Sequence, residues 1–236
     1  MVDKLRKRRL TSLLITFLLF LLGVSLGMLI DKERISWSER MHADNELLYE
    51  SSNIQYLLLS QLDDTESECP VLLTALEKNI VELGENLERL LNYEKDSIFR
   101  NEKAYQMQKR KYFLSNVKYW LLSSKVADVC PEYDAINILY FYSTENCPIC
   151  PNQGVVLTYY KNIFQEKLLV FPIDIDLKKE EPVIDLLISR FGLTTYPTLI
   201  INNQKYEGVV YKEKLGRIIC AEFTEDYPEC AVYKEG

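Results

Sequence analysis

The chain has 236 residues, of which 47% are hydrophobic and 27% charged, with a formal net charge of -7 at pH 7. This length is sufficient for one or two domains. The acidic balance and the absence of a long basic tract after the first ten residues exclude an electrostatic nucleic-acid surface, and the single histidine excludes sites built on imidazole clusters.

An apolar stretch near the amino terminus predicts a membrane anchor. Residues 1–9 are basic, and residues 10–30 contain no charge. A helix of that length spans roughly 30 Å, the thickness of a bilayer core. Because the positive charge precedes the span, residues 1–9 are predicted to be a cytoplasmic tail of a single-pass cell-membrane protein whose main domain is extracytoplasmic. A cleaved signal peptide is the alternative, although the apolar core is long for one.

Residues 31–130 form a predicted helical segment, because Gly84 and Pro70 are its only glycine and proline. Three helices are predicted, at about 36–62, 70–92 and 94–127, as a stalk followed by an antiparallel hairpin. The second helix carries a coiled-coil-like seam of apolar residues three and four apart: Leu73, Leu76, Ile80, Leu83, Leu87 and Leu90. The pattern favours a core internal to the segment; a partner surface or a homodimer through this segment is the alternative.

Residues 131–236 predict a separate domain of alternating strands and helices. The predicted elements are a strand at Ile136–Tyr142, a helix at 155–164, a strand at 168–175, a helix at 181–191, a strand after Pro197, a short strand near 206–211 and a last helix.

Two cysteines separated by two residues, Cys147 and Cys150, lie between the first strand and the helix that follows it. A helix start carries unpaired N–H groups and about half a positive charge, which lowers the pKa of a thiol placed there. Pro148 is predicted at the first helical position, where a missing N–H costs nothing. Cys150, one turn further on, can close a disulfide with Cys147. The spacing therefore predicts a thiol–disulfide exchange site.

The same pair argues against metal or haem chemistry. A zinc site needs four sulfur or nitrogen ligands, and the chain has one CxxC and no histidine near it. Pro151, not histidine, follows the second cysteine, so the motif is not a haem attachment signal. No metal and no cofactor are expected.

The other four cysteines allow three pairings. If the second and third helices are antiparallel, Cys69 at the start of one and Cys130 at the end of the other lie at the same end of the hairpin. This topology predicts a Cys69–Cys130 disulfide. Cys220 and Cys230 are then predicted to pair and to hold the carboxyl terminus.

The order of motifs CPIC, IDID and FGLTTYPTLII resembles the thioredoxin-like superfamily over about Ala135 to Ala221. The resemblance implies an α/β thioredoxin-like fold, with a central mixed sheet flanked by helices. It also implies that Pro197 is a cis proline facing the cysteine pair, that Tyr196 and Pro197 bind substrate, and that Pro148 and Ile149 help to set the reduction potential.

Three positions depart from that family. Phe141 stands where thioredoxins have a buried aspartate, Asn146 where they have a tryptophan, and Pro151 directly after the second cysteine is predicted to disturb the helix start.

The resemblance implies a membrane-anchored, extracytoplasmic thiol–disulfide oxidoreductase with Cys147 and Cys150 as catalytic residues. Its partners would be protein thiols or disulfides of exported proteins and a membrane or soluble redox partner, with no nucleic acid. The direction of electron flow stays open. The alternatives are a non-catalytic thioredoxin-like interaction protein whose helical segment binds a partner, and an electron relay.

Overall fold

The structure, a computed structural model, describes residues 15–25, 51–62, 65–95 and 102–234. The chain divides into two compact units, residues 1–62 and residues 63–236. The domain boundaries expected from the sequence, after residues 9, 30 and 130, stay predictions.

In the first unit, residues 15–25 and 51–60 are helical. None of the helices in the described ranges is long and apolar enough to cross a membrane. This finding contradicts the predicted transmembrane helix at 10–30, of which the structure describes residues 15–25. The single-pass cell-membrane location rested on that span and is wrong with it. The basic tail and most of the predicted stalk helix lie outside the described residues.

The predicted fold class also needs correction. The described part of the chain is mostly helical, with one small mixed sheet, because two long helices account for much of the second unit. The helices of this unit are α1 (Cys69–Lys95), α2 (Glu102–Val129), α3 (Cys150–Phe164), α4 (Val183–Phe191), α5 (Lys212–Glu222) and α6 (Ala231–Lys234). The strands are β1 (Ile136–Tyr142), β2 (Leu168–Asp174), β3 (Thr198–Ile201) and β4 (Gln204–Glu207).

Helices α1 and α2 pack against each other as an antiparallel hairpin. A disulfide between Cys69 and Cys130 joins the start of α1 to the residue after α2. The buried face of α1 consists of Leu72, Leu76, Asn79 and Leu90. Of the predicted seam, Leu76 and Leu90 are buried, whereas Leu73, Ile80 and Leu87 are exposed. Apolar residues cover a wide arc of this helix, so the spacing alone does not identify which stripe meets α2.

The four strands of the described part have the order β2-β1-β3-β4. Strand β1 is parallel to β2 and antiparallel to β3, which is antiparallel to β4. A two-residue turn joins β3 to β4, and both of its residues, Asn202 and Asn203, have positive φ, as a tight hairpin requires. Six of the seven residues of β1 are buried, because helices cover both faces of the sheet.

Alternate side chains of β1 are buried on opposite faces of the sheet. Ile136, Ile138 and Tyr140 pack with α3 and α5 on one face of the sheet. On the other face Phe141 lies against Phe191 of α4, with ring centroids 6.3 Å apart. Helix α2 covers this second face as well: Tyr119 packs on Phe171 of β2, Trp120 packs on Phe191, and the Ser123 hydroxyl donates to the Asn137 side-chain oxygen at 2.8 Å.

Asp134, just before β1, holds the segment that follows α5. Its carboxylate accepts hydrogen bonds from the backbone N–H groups of Thr224 and Glu225, both at 3.3 Å, and from the Tyr227 hydroxyl at 3.0 Å. Burial raises the pKa of this carboxyl, but the hydrogen bonds from Thr224, Tyr227 and Glu225 together hold the pKa below its ordinary value of 3.8.

The Asp134→Asn substitution is expected to lower the free energy of unfolding by about 1–2 kcal/mol near neutral pH, because charge-assisted hydrogen bonds are lost. A lowered folded-state pKa means that the stabilisation is complete above pH 3.8 and is lost as the pH falls through the folded value. The two proteins should therefore converge in acid. Urea denaturation across pH measures this, with Asp128→Asn at an exposed site of α2 as control. A gap that persists unchanged in acid contradicts the assignment.

Candidate functional site

Cys147 and Cys150 form a disulfide at the start of α3. The helix begins at Cys150, whose N–H donates to the Cys147 carbonyl at 3.2 Å, and Ile149 is the N-cap residue. Pro148 therefore lies in the turn before the helix and not at its first position. Pro151 lies in the first helical turn, where backbone N–H groups have no acceptor within the helix, so this proline costs α3 no hydrogen bond.

The two sulfur-bearing residues differ in exposure. Cys150 is 1% exposed and Cys147 is 7% exposed, while Pro148 and Ile149 between them are on the surface. Asn146, on the other side of Cys147, is exposed as well. A molecule that approaches this turn therefore reaches Cys147 before Cys150.

The carboxylate of Asp176 shapes the loop that carries Cys147. One oxygen accepts from the Ser143 hydroxyl at 2.8 Å, and the other accepts from the backbone N–H groups of Thr144 at 2.8 Å and Glu145 at 3.0 Å. The Ser143 oxygen in turn accepts from the Asn146 N–H at 2.8 Å. The loop is thus fixed by one acidic side chain that lies more than thirty residues further along the chain.

Burial raises the pKa of the Asp176 carboxyl, but hydrogen bonds from Ser143, Glu145 and Thr144 outweigh burial and hold the pKa below its ordinary value. The sequence analysis did not assign this residue a role. One signal for it existed: Asp176 follows the carboxyl end of β2, and the carboxyl ends of the parallel strands β1 and β2 meet at the same edge of the sheet.

Tyr140 lies beneath the first turn of α3. Its hydroxyl donates to the Cys150 carbonyl at 2.5 Å, and its ring stacks on that of Tyr142, with centroids 5.1 Å apart. Burial raises the pKa of Tyr140 to about 12, so its phenol remains a donor at neutral pH. The sequence analysis placed Tyr140 in a strand but gave it no part in the site.

The peptide bond between Tyr196 and Pro197 is cis. Thr198, the first residue of β3, pairs with Phe141 near the end of β1, so the Pro197 loop and the cysteine loop leave the sheet at the same edge. Pro197 is buried and Tyr196 half-buried, and burial raises the pKa of the Tyr196 phenol. The Pro197 carbonyl accepts from the Gly208 N–H at 2.8 Å.

Gln153, one turn after Cys150, connects α3 to the segment that follows β4. Its side chain is completely buried, and its oxygen accepts from the Val210 N–H at 2.7 Å. Because Gly208 of the same segment bonds to Pro197, a short chain of contacts leads from the cysteine helix to the cis proline. No sequence motif marked Gln153.

The other four cysteines form two disulfides outside this site. Cys69 pairs with Cys130, and Cys220 pairs with Cys230, which is 1% exposed. Cys130 precedes β1 and Cys147 follows it, so these two lie at opposite ends of that strand. No cluster of potential metal ligands occurs in the described ranges.

Phe141 is completely buried against Phe191 on the sheet face opposite Tyr140. A hydrocarbon ring at this position offers no proton to the sulfurs.

The chain was compared with known families, curated proteins and solved structures. No family model matches the chain, and no curated protein matches its sequence. A solved structure described as a malarial protein is similar over 39% of this chain and 99% of its own length, with 16% identity and a TM-score of 0.32. A thioredoxin of Malassezia sympodialis, Mala s 13, is similar over 38% of this chain and 76% of its own length, with 23% identity and a TM-score of 0.30. A thioredoxin is thus among the solved structures that this chain weakly resembles, and likenesses this distant say nothing about activity.

Proposed function

We propose that this protein exchanges disulfides with the thiols or disulfides of other proteins, through Cys147 and Cys150. The observation that carries the proposal is the unequal exposure of the two residues of this disulfide. Cys147 is 7% exposed, whereas Cys150 is 1% exposed. A redox pair needs one sulfur that partners can reach and a second sulfur that resolves the mixed disulfide.

The exchange can run in either direction at this pair. In oxidation, a substrate thiolate attacks the Cys147 sulfur, the Cys147–Cys150 bond breaks, and its electron pair leaves as the Cys150 thiolate. A second substrate thiolate then attacks the substrate sulfur of the mixed disulfide and releases the Cys147 thiolate. The substrate loses two electrons and the protein gains them; reduction of a substrate disulfide is the reverse.

The loop around Pro197 is the proposed substrate contact. It leaves the sheet at the edge where the cysteine loop also leaves, and it is tied to α3 through Gly208, Val210 and Gln153. Tyr196 is half-buried and leaves part of its ring for contact with an extended peptide. The Asp176 contacts hold the opposite loop in place without any substrate present.

A non-catalytic interaction protein is the second candidate, and exposed apolar side chains on the hairpin favour it. On each long helix three of them recur every seven residues: Leu73, Ile80 and Leu87 on α1, and Met107, Leu114 and Leu121 on α2. In that case the Cys147–Cys150 disulfide would be structural, with a reduction potential below about -300 mV.

Trapping of mixed disulfides tests the proposed function. Cys150→Ala is expected to accumulate protein adducts through Cys147, because the resolving sulfur is missing. Cys147→Ala is expected to abolish both the adducts and the turnover of a disulfide substrate such as insulin with glutathione as reductant. Non-reducing electrophoresis and a turbidity assay measure the two effects.

The matched control removes the other short-range disulfide, with Cys220→Ala and Cys230→Ala together, and should retain turnover. The proposal fails if the unsubstituted protein shows no turnover, if Cys150→Ala forms no adducts, and if the potential of the pair lies well below about -300 mV. That combination would establish the interaction protein instead.

A further inference from the structure

Gln153 carries a buried donor without an acceptor. Its side chain is 0% exposed, its oxygen is bonded to the Val210 N–H, and its amide nitrogen has no hydrogen-bond partner among the described protein atoms. It is the only buried side-chain polar atom of the described chain in this state. Such a group costs free energy in a folded protein, so its presence calls for a physical explanation.

The orientation of this amide is fixed. The Val210 N–H is a donor and therefore needs the oxygen of Gln153 as its acceptor. If the two ends of the amide were exchanged, an NH2 group would face an N–H group. The unpartnered nitrogen is thus the true free end of the side chain, and it points away from Val210.

The second sulfur of the pair lies next along the same face. The buried face of α3 consists of Cys150, Gln153, Leu157, Tyr160 and Phe164, so Gln153 follows Cys150 at a spacing of three residues. Helical side chains lean toward the amino terminus of their helix, over the residues three and four positions earlier. Gln153 therefore leans toward the turn that contains Cys150.

We propose that the Gln153 amide nitrogen donates a hydrogen bond to the Cys150 sulfur when the disulfide opens, and so stabilises the buried thiolate. This rests on the proposed exchange at Cys147 and Cys150. A disulfide sulfur is a poor acceptor and a thiolate is a strong one, so we expect this hydrogen bond only after the disulfide opens and the Cys150 sulfur turns toward Gln153.

The proposed exchange places a negative charge on the Cys150 sulfur, which this donor could stabilise. When a substrate thiolate attacks the Cys147 sulfur, the electron pair of the broken bond goes to Cys150, which is 1% exposed and has little access to water. Burial alone raises the pKa of a thiol. An amide donor on α3 would offset this cost by a charge-assisted hydrogen bond to the thiolate.

Other ionisable groups around this turn do not replace Gln153. The Tyr140 phenol is bonded to the Cys150 carbonyl and, with a pKa raised by burial to about 12, stays neutral near neutral pH. The pKa of Tyr142 is raised by burial too, and that of Asp176 is held low, so neither changes charge there. The adjoining elements carry further ionisable side chains, among them Glu145, Asp174, Tyr206, Lys212 and Glu213. All of these stay in place when Gln153 alone is substituted.

The test measures the pKa of Cys150 directly. In a Cys147→Ser background, Cys150 is the one cysteine outside the two remaining disulfides, and its thiolate absorbance is followed against pH. Gln153→Met, which has a similar size and no donor, is expected to raise the pKa by about one unit, a tenfold change in the acid dissociation constant. Gln153→Leu, which also lacks a donor, should raise the pKa by a similar amount.

A kinetic readout accompanies the titration. Release of glutathione from a Cys147–glutathione mixed disulfide, with Cys150 intact, is expected to slow about threefold near neutral pH in Gln153→Met. The tenfold smaller thiolate fraction is partly offset by the higher nucleophilicity of a more basic thiolate. The pH profile of this rate should shift upward by the same unit.

The control is Gln108→Met, the same change at a buried glutamine of α2 whose amide nitrogen already has an acceptor, the Asn86 carbonyl. It should leave the pKa of Cys150 unchanged. An unchanged pKa in both Gln153 variants overturns the inference and assigns the amide nitrogen to a bound water instead. If Gln153→Met fails to fold, Gln153→Leu decides. The titration needs no turnover, so its outcome supports or overturns this inference whether or not the unsubstituted protein is active.

Discussion

Replacement of Cys69 and Cys130 by alanine together is expected to lower the free energy of unfolding by about 4 kcal/mol. The two cysteines are 61 positions apart, and a cross-link that closes so long a loop removes much of the conformational entropy of the unfolded chain. The same substitution frees the open end of the α1–α2 hairpin. Urea denaturation under non-reducing conditions measures the loss.

The matched comparison is the pair of substitutions Cys220→Ala and Cys230→Ala, which opens a loop with a separation of only 10 residues. The same entropy relation gives about 3 kcal/mol for this pair. The hairpin disulfide should therefore be the more stabilising of the two. A reversed order, or a loss below about 1 kcal/mol for the hairpin pair, would show that α1 and α2 remain docked without their cross-link.

Asp176→Ala is expected to lower the free energy of unfolding by about 2–3 kcal/mol, because a charged acceptor of several hydrogen bonds is removed from the loop before Cys147. The backbone N–H groups of Thr144 and Glu145 should lose their protection in hydrogen exchange. A shift of Cys147 by about 1 Å with the loop is expected to lower the rate of thiol–disulfide exchange by up to about 100-fold.

The control is Asp185→Ala, at an exposed position of α4. The lowered pKa of Asp176 adds a pH signature: its stabilisation is complete above its ordinary pKa of 3.8 and is lost as the pH falls through the folded value. The variant and the unsubstituted protein should therefore converge in acid. Equal protection of Thr144 and Glu145 in both proteins at neutral pH would show that the loop holds its shape without the carboxylate.

Several elements were encoded locally. The predicted strand Ile136–Tyr142 is confirmed as β1, with the same first and last residues, because a nearly continuous apolar run is typical of a strand covered on both faces. Gly192 ends α4 in the left-handed conformation that glycine adopts without strain. The turn into Thr198–Ile201 likewise follows the proline at 197.

Two predictions based on hydropathy, the membrane span and the apolar seam of α1, were wrong in whole or in part, because hydropathy does not specify what a side chain packs against. The uncharged stretch 10–30 has the composition of a membrane span, yet the structure has no described helix of the necessary length and polarity. In α1, the spacing selected Leu73, Ile80 and Leu87, all of which are exposed, while Leu72 and Asn79 are buried. A wide apolar arc fits several registers, and the partner helix selects one.

Local residue patterns were sufficient to predict the cysteine pair, the strand before it and the elements that follow, because strand and helix formation depend mainly on residues that are close in the chain. The long-range packing of the fold was needed to show that Asp176 holds the cysteine loop, that Tyr140 supports the first turn of α3, and that Gln153 is buried next to the turn of Cys150. These contacts join residues that the chain order separates. They form because the sheet places the carboxyl ends of β1 and β2 and the start of β3 at one edge. A pattern of residues that are neighbours in the chain does not predict which distant residues come together there.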